Sequence, residues 1–419
     1  MLPTRSEQVS HQIDQPESRR AFVLLAAGML TVGYLASETG VVLPRLAAAY
    51  GLSPDQQGLV VSVRFFGSVI AGILLFSLGS RIRYRTYLGA SAAFNLFTGI
   101  LLLAANSYEA VLAVSFLRGT CLTATITSTN GALESWFSGE KAGRSNRVHA
   151  FFGIGLVLAP LVALGADRVG LGWKAVWAGP AAGGITVLAL LPGAVRAPAH
   201  PPGGDEDGEP VGGAAPRWRG LLLATVAVAV TMAFFNVGVE AVILGWTPTI
   251  LGGYGGVASG SIGPAAVVSL VLSIGIFVGR RSASKLVGHV PPPRYYLAST
   301  ALVAACGAAA ALVAGTTESP PRWINIVLAL ALGLSTSALY PVLVSRIGAL
   351  ATRTRGRVFA VFELGAAAGG TVFPALVGLA GNGRTAAGYA AILVVGPTVL
   401  AGLSVGLRSL LRRLGADRD

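Results

Sequence analysis

Charge is what this chain has least of. Only 12% of its 419 residues are Asp, Glu, Lys or Arg, about half the share of an average soluble domain. A water-facing globular surface is therefore excluded for most of its length. Cys121 and Cys306 are the only cysteines, and both fall inside apolar stretches. That gives no basis for a disulfide framework or a cysteine-built zinc site. There is no Walker-type glycine–lysine run, so ATP is not the expected energy source. No cofactor, no metal and no enzymatic activity are expected. The net charge of +13 and pI near 10.4 would suit a nucleic-acid partner, but the basic residues form short clusters between apolar segments and not a continuous face, so none is expected.

What the chain does have is hydrocarbon. It is 53% hydrophobic with a mean hydropathy of +0.68, gathered into segments of about 20 residues, the length that crosses a bilayer core. Twelve such segments are expected at 21–44, 58–79, 87–105, 110–136, 148–166, 174–194, 220–247, 259–278, 295–314, 323–345, 358–380 and 389–407. The polar first 20 residues end in Arg19-Arg20, and the apolar run that follows has no small-residue cleavage site. It reads as a retained first span.

Lys and Arg crowd the loops on the side of the termini, whereas only Arg168, Lys174, Arg322 and Arg384 fall clearly on the other side. The positive-inside rule then places both termini in the cytoplasm of a cell with a bacterial-type inner membrane. Residues 195–219 carry five prolines, several glycines and Asp205-Glu206-Asp207. This segment cannot bury enough apolar surface to order itself and is expected to be a flexible cytoplasmic linker. It divides a bundle at 21–194 from a second at 220–407, with tails at 1–20 and 408–419.

The two halves echo each other. Glu38 lies late in span one, before Pro44, a loop, an apolar span and Gly79-Ser80-Arg81; Glu240 lies late in span seven, before Pro248, a glycine-rich loop, an apolar span and Gly279-Arg280-Arg281. A six-plus-six duplication with a carboxylate at matching depth is the pattern of a transporter whose solute site lies at the repeat interface.

An ionised carboxylate in hydrocarbon costs about 2.5–3.5 kcal/mol on insertion scales. Glu38 and Glu240 are therefore the first candidates for carrying a proton. Arg64 and Arg118 are the candidate counter-ions or solute contacts, since guanidinium stays charged when buried. Arg118 serves either a solute or a structural tie to Glu38, while Arg64, nearer the outer end, is expected to snorkel. Asn95, Asn130, Asn236, Trp246, Thr336 and Tyr340 put amide, indole and hydroxyl groups into otherwise apolar helices. Such groups suit a hydroxylated solute, or they tie helices together. Glu134 and Glu363 lie near cytoplasmic span ends beside basic loops that include Arg144, where salt bridges would close that side.

The chain resembles the major facilitator superfamily over roughly residues 20–410. Leu78-Gly79-Ser80-Arg81-Ile82-Arg83-Tyr84-Arg85 is similar to that superfamily's loop signature, with Ser80 in place of its Asp and Arg83 in place of its second Gly; the resemblance makes Arg81 a gate residue. Asn130 to Glu134, Arg144 to Gly155 with Ala159-Pro160, Asn236 to Glu240 with Trp246, and Tyr340-Pro341 look like the fucose permease branch of sugar–proton symporters. The resemblance implies twelve helices in two six-helix bundles, alternating access, a monomer in the lipid bilayer, and proton-coupled symport of a small solute of sugar type. A proton-driven exporter of hydrophobic or amphipathic compounds would use the same carboxylates.

Overall fold

A computed structural model of the protein describes residues 16–78, 83–136, 141–193, 216–252, 263–286, 290–316, 321–348, 355–381 and 383–414. Among them every regular element is a helix, as the hydrocarbon interior demands: without water, each backbone N–H and C=O must be satisfied inside its own segment. In chain order these are α1 (Pro16–Tyr50), α2 (Pro54–Leu78), α3 (Tyr84–Ala104), α4 (Tyr108–Trp136), α5 (Lys141–Arg168), α6 (Gly172–Leu190), α7 (Pro216–Gly252), α8 (Gly263–Leu286), α9 (Pro292–Thr316), α10 (Arg322–Thr336), α11 (Leu339–Gly348), α12 (Arg355–Leu379) and α13 (Thr385–Arg413). α10 and α11 together form the tenth span. Eleven of the twelve crossings are long and apolar enough to span a membrane. The exception is α6, shortened and diluted by Lys174 and its glycines.

The pairing of helices reproduces the duplication. α1 packs on α5 as α7 does on α12, α2 on α4 as α8 on α10, and α3 on α6 as α9 on α13. Across the halves α2 meets α12 and α8 meets α5. Under the exchange of halves each of these two contacts becomes the other, so the bundles are related by a pseudo-two-fold axis.

The closest backbone approaches between the halves lie on the face away from the termini. A Cβ on Gly40 in α1 would sit 2.0 Å from the Leu244 carbonyl of α7, and one on Gly58 in α2 would sit 2.8 Å from the Pro374 carbonyl of α12. No side chain fits at either point. Val61 of α2 packs against Gly245 and Phe65 against Gly370 along the same seam. The molecule is therefore zipped shut on the face opposite its termini.

Proline explains several irregularities. A proline inside a helix cannot bond to the carbonyl four residues earlier, and in lipid that carbonyl must find another donor. Pro180 frees Val176 O, which accepts from the Tyr34 hydroxyl at 2.8 Å. Pro160 frees Leu156 O, which accepts from Ser37 Oγ at 3.0 Å. Pro341 frees Ser337 O. There the tenth span, expected to be continuous over 323–345, breaks into α10 and α11.

One expectation needs correction. The eighth span was expected to end at 278, before the basic pair Arg280-Arg281, but α8 runs on to Leu286. The pair lies within the helix because Arg280 finds partners that offset its charge. The linker at 195–219 lies outside the described residues apart from its last four, which begin α7.

Candidate functional site

Five residues within the stretch 34–40 of α1 reach into five neighbouring helices. Tyr34 bonds α6 and Ser37 bonds α5, as above. Glu38 Oε2 accepts from Arg118 Nη2 of α4 at 2.8 Å, with both side chains at most 1% exposed. Thr39 Oγ1 accepts from Arg64 Nη1 of α2 at 3.0 Å, and Gly40 abuts α7. Arg118 also donates to Trp177 O of α6 at 2.5 Å and lies over the Trp177 ring at 5.4 Å from its centroid. The pair is thus locked on both sides, and of the two readings of Arg118 the structure shows the tie to Glu38. Arg64 does not snorkel. It is 4% exposed, with its guanidinium over the Phe65 ring and bonded to the Thr39 hydroxyl inside the protein.

The second carboxylate lives in a different setting. Glu240 Oε1 lies 3.7 Å from Arg280 Nη2, and the side chains keep 18% and 29% of their surface accessible. Arg280 lies against Phe152 of the other bundle, so the accessible surface of this pair faces the cleft between the bundles. Arg280 donates from Nε to Ser337 O at 3.1 Å, the carbonyl that Pro341 releases. It also stacks on Phe152 of α5 at 4.5 Å, so one guanidinium joins α7, the broken tenth span and the other bundle. The Tyr340 hydroxyl donates to Glu363 Oε1 at 2.5 Å, within electrostatic reach of Glu240. His149 of α5 faces the same Arg280. Glu240, Arg280, Tyr340, Glu363 and His149 together line a polar cleft between the bundles.

The remaining sequence candidates separate by location. Trp246 is 1% exposed and donates to Pro374 O at 3.1 Å, tying α7 to α12. Asn95 is equally buried and donates to Thr125 Oγ1 of α4 at 3.1 Å. Asn236 is buried beside Tyr296, Asn130 is half-buried at the end of α4, and Thr336 is buried at the break of the tenth span. Arg81 and the side chains of Glu134 and Arg144 lie outside the described residues. Glu363 is engaged by Tyr340. Sequence reasoning passed over Tyr34, Ser37, Thr39, Phe152 and Ser337. Tyr34, Ser37 and Glu38 fall at the i, i+3, i+4 spacing of one helical face, which could have marked the first two.

The comparisons agree with this architecture. The Major Facilitator Superfamily model matches residues 22–331, and the protein belongs to that superfamily. It is a multi-pass membrane transporter and not an enzyme. Among solved structures it is similar to a D-xylose–proton symporter, with a TM-score of 0.70 at 14% identity, covering 91% of this chain and 97% of that one. A proton-dependent oligopeptide transporter gives a TM-score of 0.70 at 13% identity over 94% and 100%. A nucleoside transporter gives 0.66 at 11% identity over 93% and 99%. At such identities the likeness is one of fold. No curated protein matches the sequence.

Proposed function

We propose that this protein is a proton-coupled secondary transporter of a small polar solute of sugar type, with Glu240 as the proton carrier. The observation that carries the reading is the contrast between the two carboxylates. Glu38 is sealed, with Oε2 held by the equally buried Arg118, which suits a structural tie. Glu240 lines the interbundle cleft and is held at 3.7 Å by a guanidinium that has other partners. A carboxylate that can exchange with water while keeping an alternative for its counter-ion can take up and release a proton during the cycle. The cleft presents a phenol, a guanidinium, two carboxylates and an imidazole, which favours a polar solute over an apolar one.

The concentration of basic residues near the termini supports cytoplasmic termini. The closed seam then faces outward, and the structure corresponds to the inward-facing half of an alternating-access cycle. Both termini, the linker at 195–219 and the Arg81, Glu134 and Arg144 gate would share the cytoplasmic side.

The test uses purified protein in liposomes. D-Xylose, a panel of labelled hexoses and labelled D-glucuronate are offered under an inward proton gradient and, separately, in counterflow without one. Glu240→Gln should abolish uphill accumulation and retain counterflow of the solute that the unsubstituted protein accumulates. If the variant accumulates solute as well as it exchanges it, Glu240 does not carry the proton. Efflux of amphipathic dyes in place of uptake would favour the exporter reading.

A further inference from the structure

Charge inside the first bundle does not balance. Arg64, Arg118 and Glu38 are all at most 4% exposed, and Glu38 lies within electrostatic reach of both guanidiniums. Its Oε2 is taken by Arg118. One carboxylate cannot neutralise two cations, and arginine does not surrender its proton in a protein. Among the described residues Arg64 makes no ion pair. Its neighbours are the neutral Thr39 hydroxyl and the Phe65 ring, and its Nε has no hydrogen-bond partner. An uncompensated buried charge is strongly unfavourable, so a fold that keeps one has a use for it or an ion to cover it.

Position supplies the use. Thr39 immediately precedes Gly40, where α1 touches the Leu244 carbonyl, and Val61, one turn before Arg64, packs on Gly245. Arg64 therefore hangs directly beneath the seam that closes the face opposite the termini. Parting that seam would bare Arg64 while Arg118 stays pinned between Glu38 and Trp177. A guanidinium with free donors matches a carboxylate in shape and charge. On the equivalent helix of the other half, Arg280 sits toward the opposite end and is accessible in the present state. Each face of the cleft thus has a guanidinium of its own.

We propose that Arg64 binds the carboxylate of the transported solute when the seam parts, which makes that solute a small hydroxylated monocarboxylate, an acid of sugar type. The proposal rests on the reading that the protein carries a small polar solute, and is independent of proton coupling. An inorganic anion such as chloride would satisfy the same guanidinium.

The experiment is thermal unfolding of the full chain in detergent, titrated separately with D-glucuronate, acetate, chloride and the neutral analogue D-glucose at constant ionic strength. D-Glucuronate and acetate should raise the unfolding temperature saturably, D-glucose should not, and chloride should be displaced by either carboxylate. In Arg64→Gln the apparent affinity for D-glucuronate should fall at least tenfold. Arg64→Lys should lose part of it, and Thr39→Val, which keeps the charge, should retain it; these two variants serve if Arg64→Gln does not fold. No saturable response to either carboxylate, an equal response in Arg64→Gln or Arg64→Lys, or saturation by chloride that no carboxylate displaces would each overturn the proposal. Proton-independent uptake by the liposomes would refute the coupling reading and leave this result standing.

Discussion

Replacing Glu38 by Gln removes one charge and leaves shape untouched. No cavity forms, so the change in stability reports the loss of the carboxylate alone. Arg118 would keep the Trp177 carbonyl at 2.5 Å and the ring at 5.4 Å, and a desolvated cation–π contact is worth about 2 kcal/mol. That contact is present before and after, so it does not cushion the loss. Breaking a buried pair by removing one partner costs about 3–5 kcal/mol. The upper half of that range is expected here, because Glu38 is also the nearest anion to Arg64. The measurement is reversible unfolding in mixed micelles with increasing SDS, followed by tryptophan fluorescence. Arg118→Met should cost a comparable amount. The double variant Glu38→Gln with Arg118→Met should cost clearly less than the two singles added together, because neither member of the Glu38–Arg118 pair is left facing an unpaired partner. If Glu38→Gln lies within about 1 kcal/mol of the parent, a value typical of exposed pairs, the carboxylate is not the buried counter-ion described above.

Three further outcomes follow from the packing. Pro341→Ala restores the N–H that Ser337 O lacks and should fuse α10 with α11. The unfolding temperature should rise, consistent with a hydrogen bond worth about 1 kcal/mol, while uptake slows because Arg280 loses its carbonyl partner; unchanged uptake would count against a role for the break. Gly40→Val places methyl groups where the Leu244 carbonyl already stands and should push the population toward the seam-open state. Faster reaction of Val61→Cys with an impermeant maleimide from the seam side checks this. Trp246→Phe removes the donor to Pro374 O and should cost about 1 kcal/mol through the lost hydrogen bond with the solute KM unchanged; a large rise in KM would return Trp246 to the solute site.

The helical spans and the duplication were legible in the sequence because hydrocarbon imposes a length and a hydropathy that few other environments require. Their ends were legible only where charge coincided with a helix end. At Arg280 it did not: hydropathy falls at the basic pair, yet the helix continues because Glu240, Phe152 and a proline-freed carbonyl surround the guanidinium. The prolines themselves were visible, but the donors that answer them, Tyr34 for Val176 and Ser37 for Leu156, sit more than 100 residues away in sequence and no local pattern links them. The same limit applied to Arg118. Depth made it a partner for Glu38, while only the fold showed that the Trp177 carbonyl and ring complete its enclosure. Matching depth of Glu38 and Glu240 implied matching roles, whereas their surroundings differ: one is walled in and the other borders a cleft.

Because α1 is stapled to four helices of its own bundle over residues 34–40, those five helices must travel through the transport cycle as a single rigid block. Bending is then left to the places where the backbone ladder is already interrupted, and Pro44 and Pro248 put such interruptions at Gly40 and Leu244, face to face across the two blocks. The fulcrum of the rocking motion would coincide with the spot where both helices are softest.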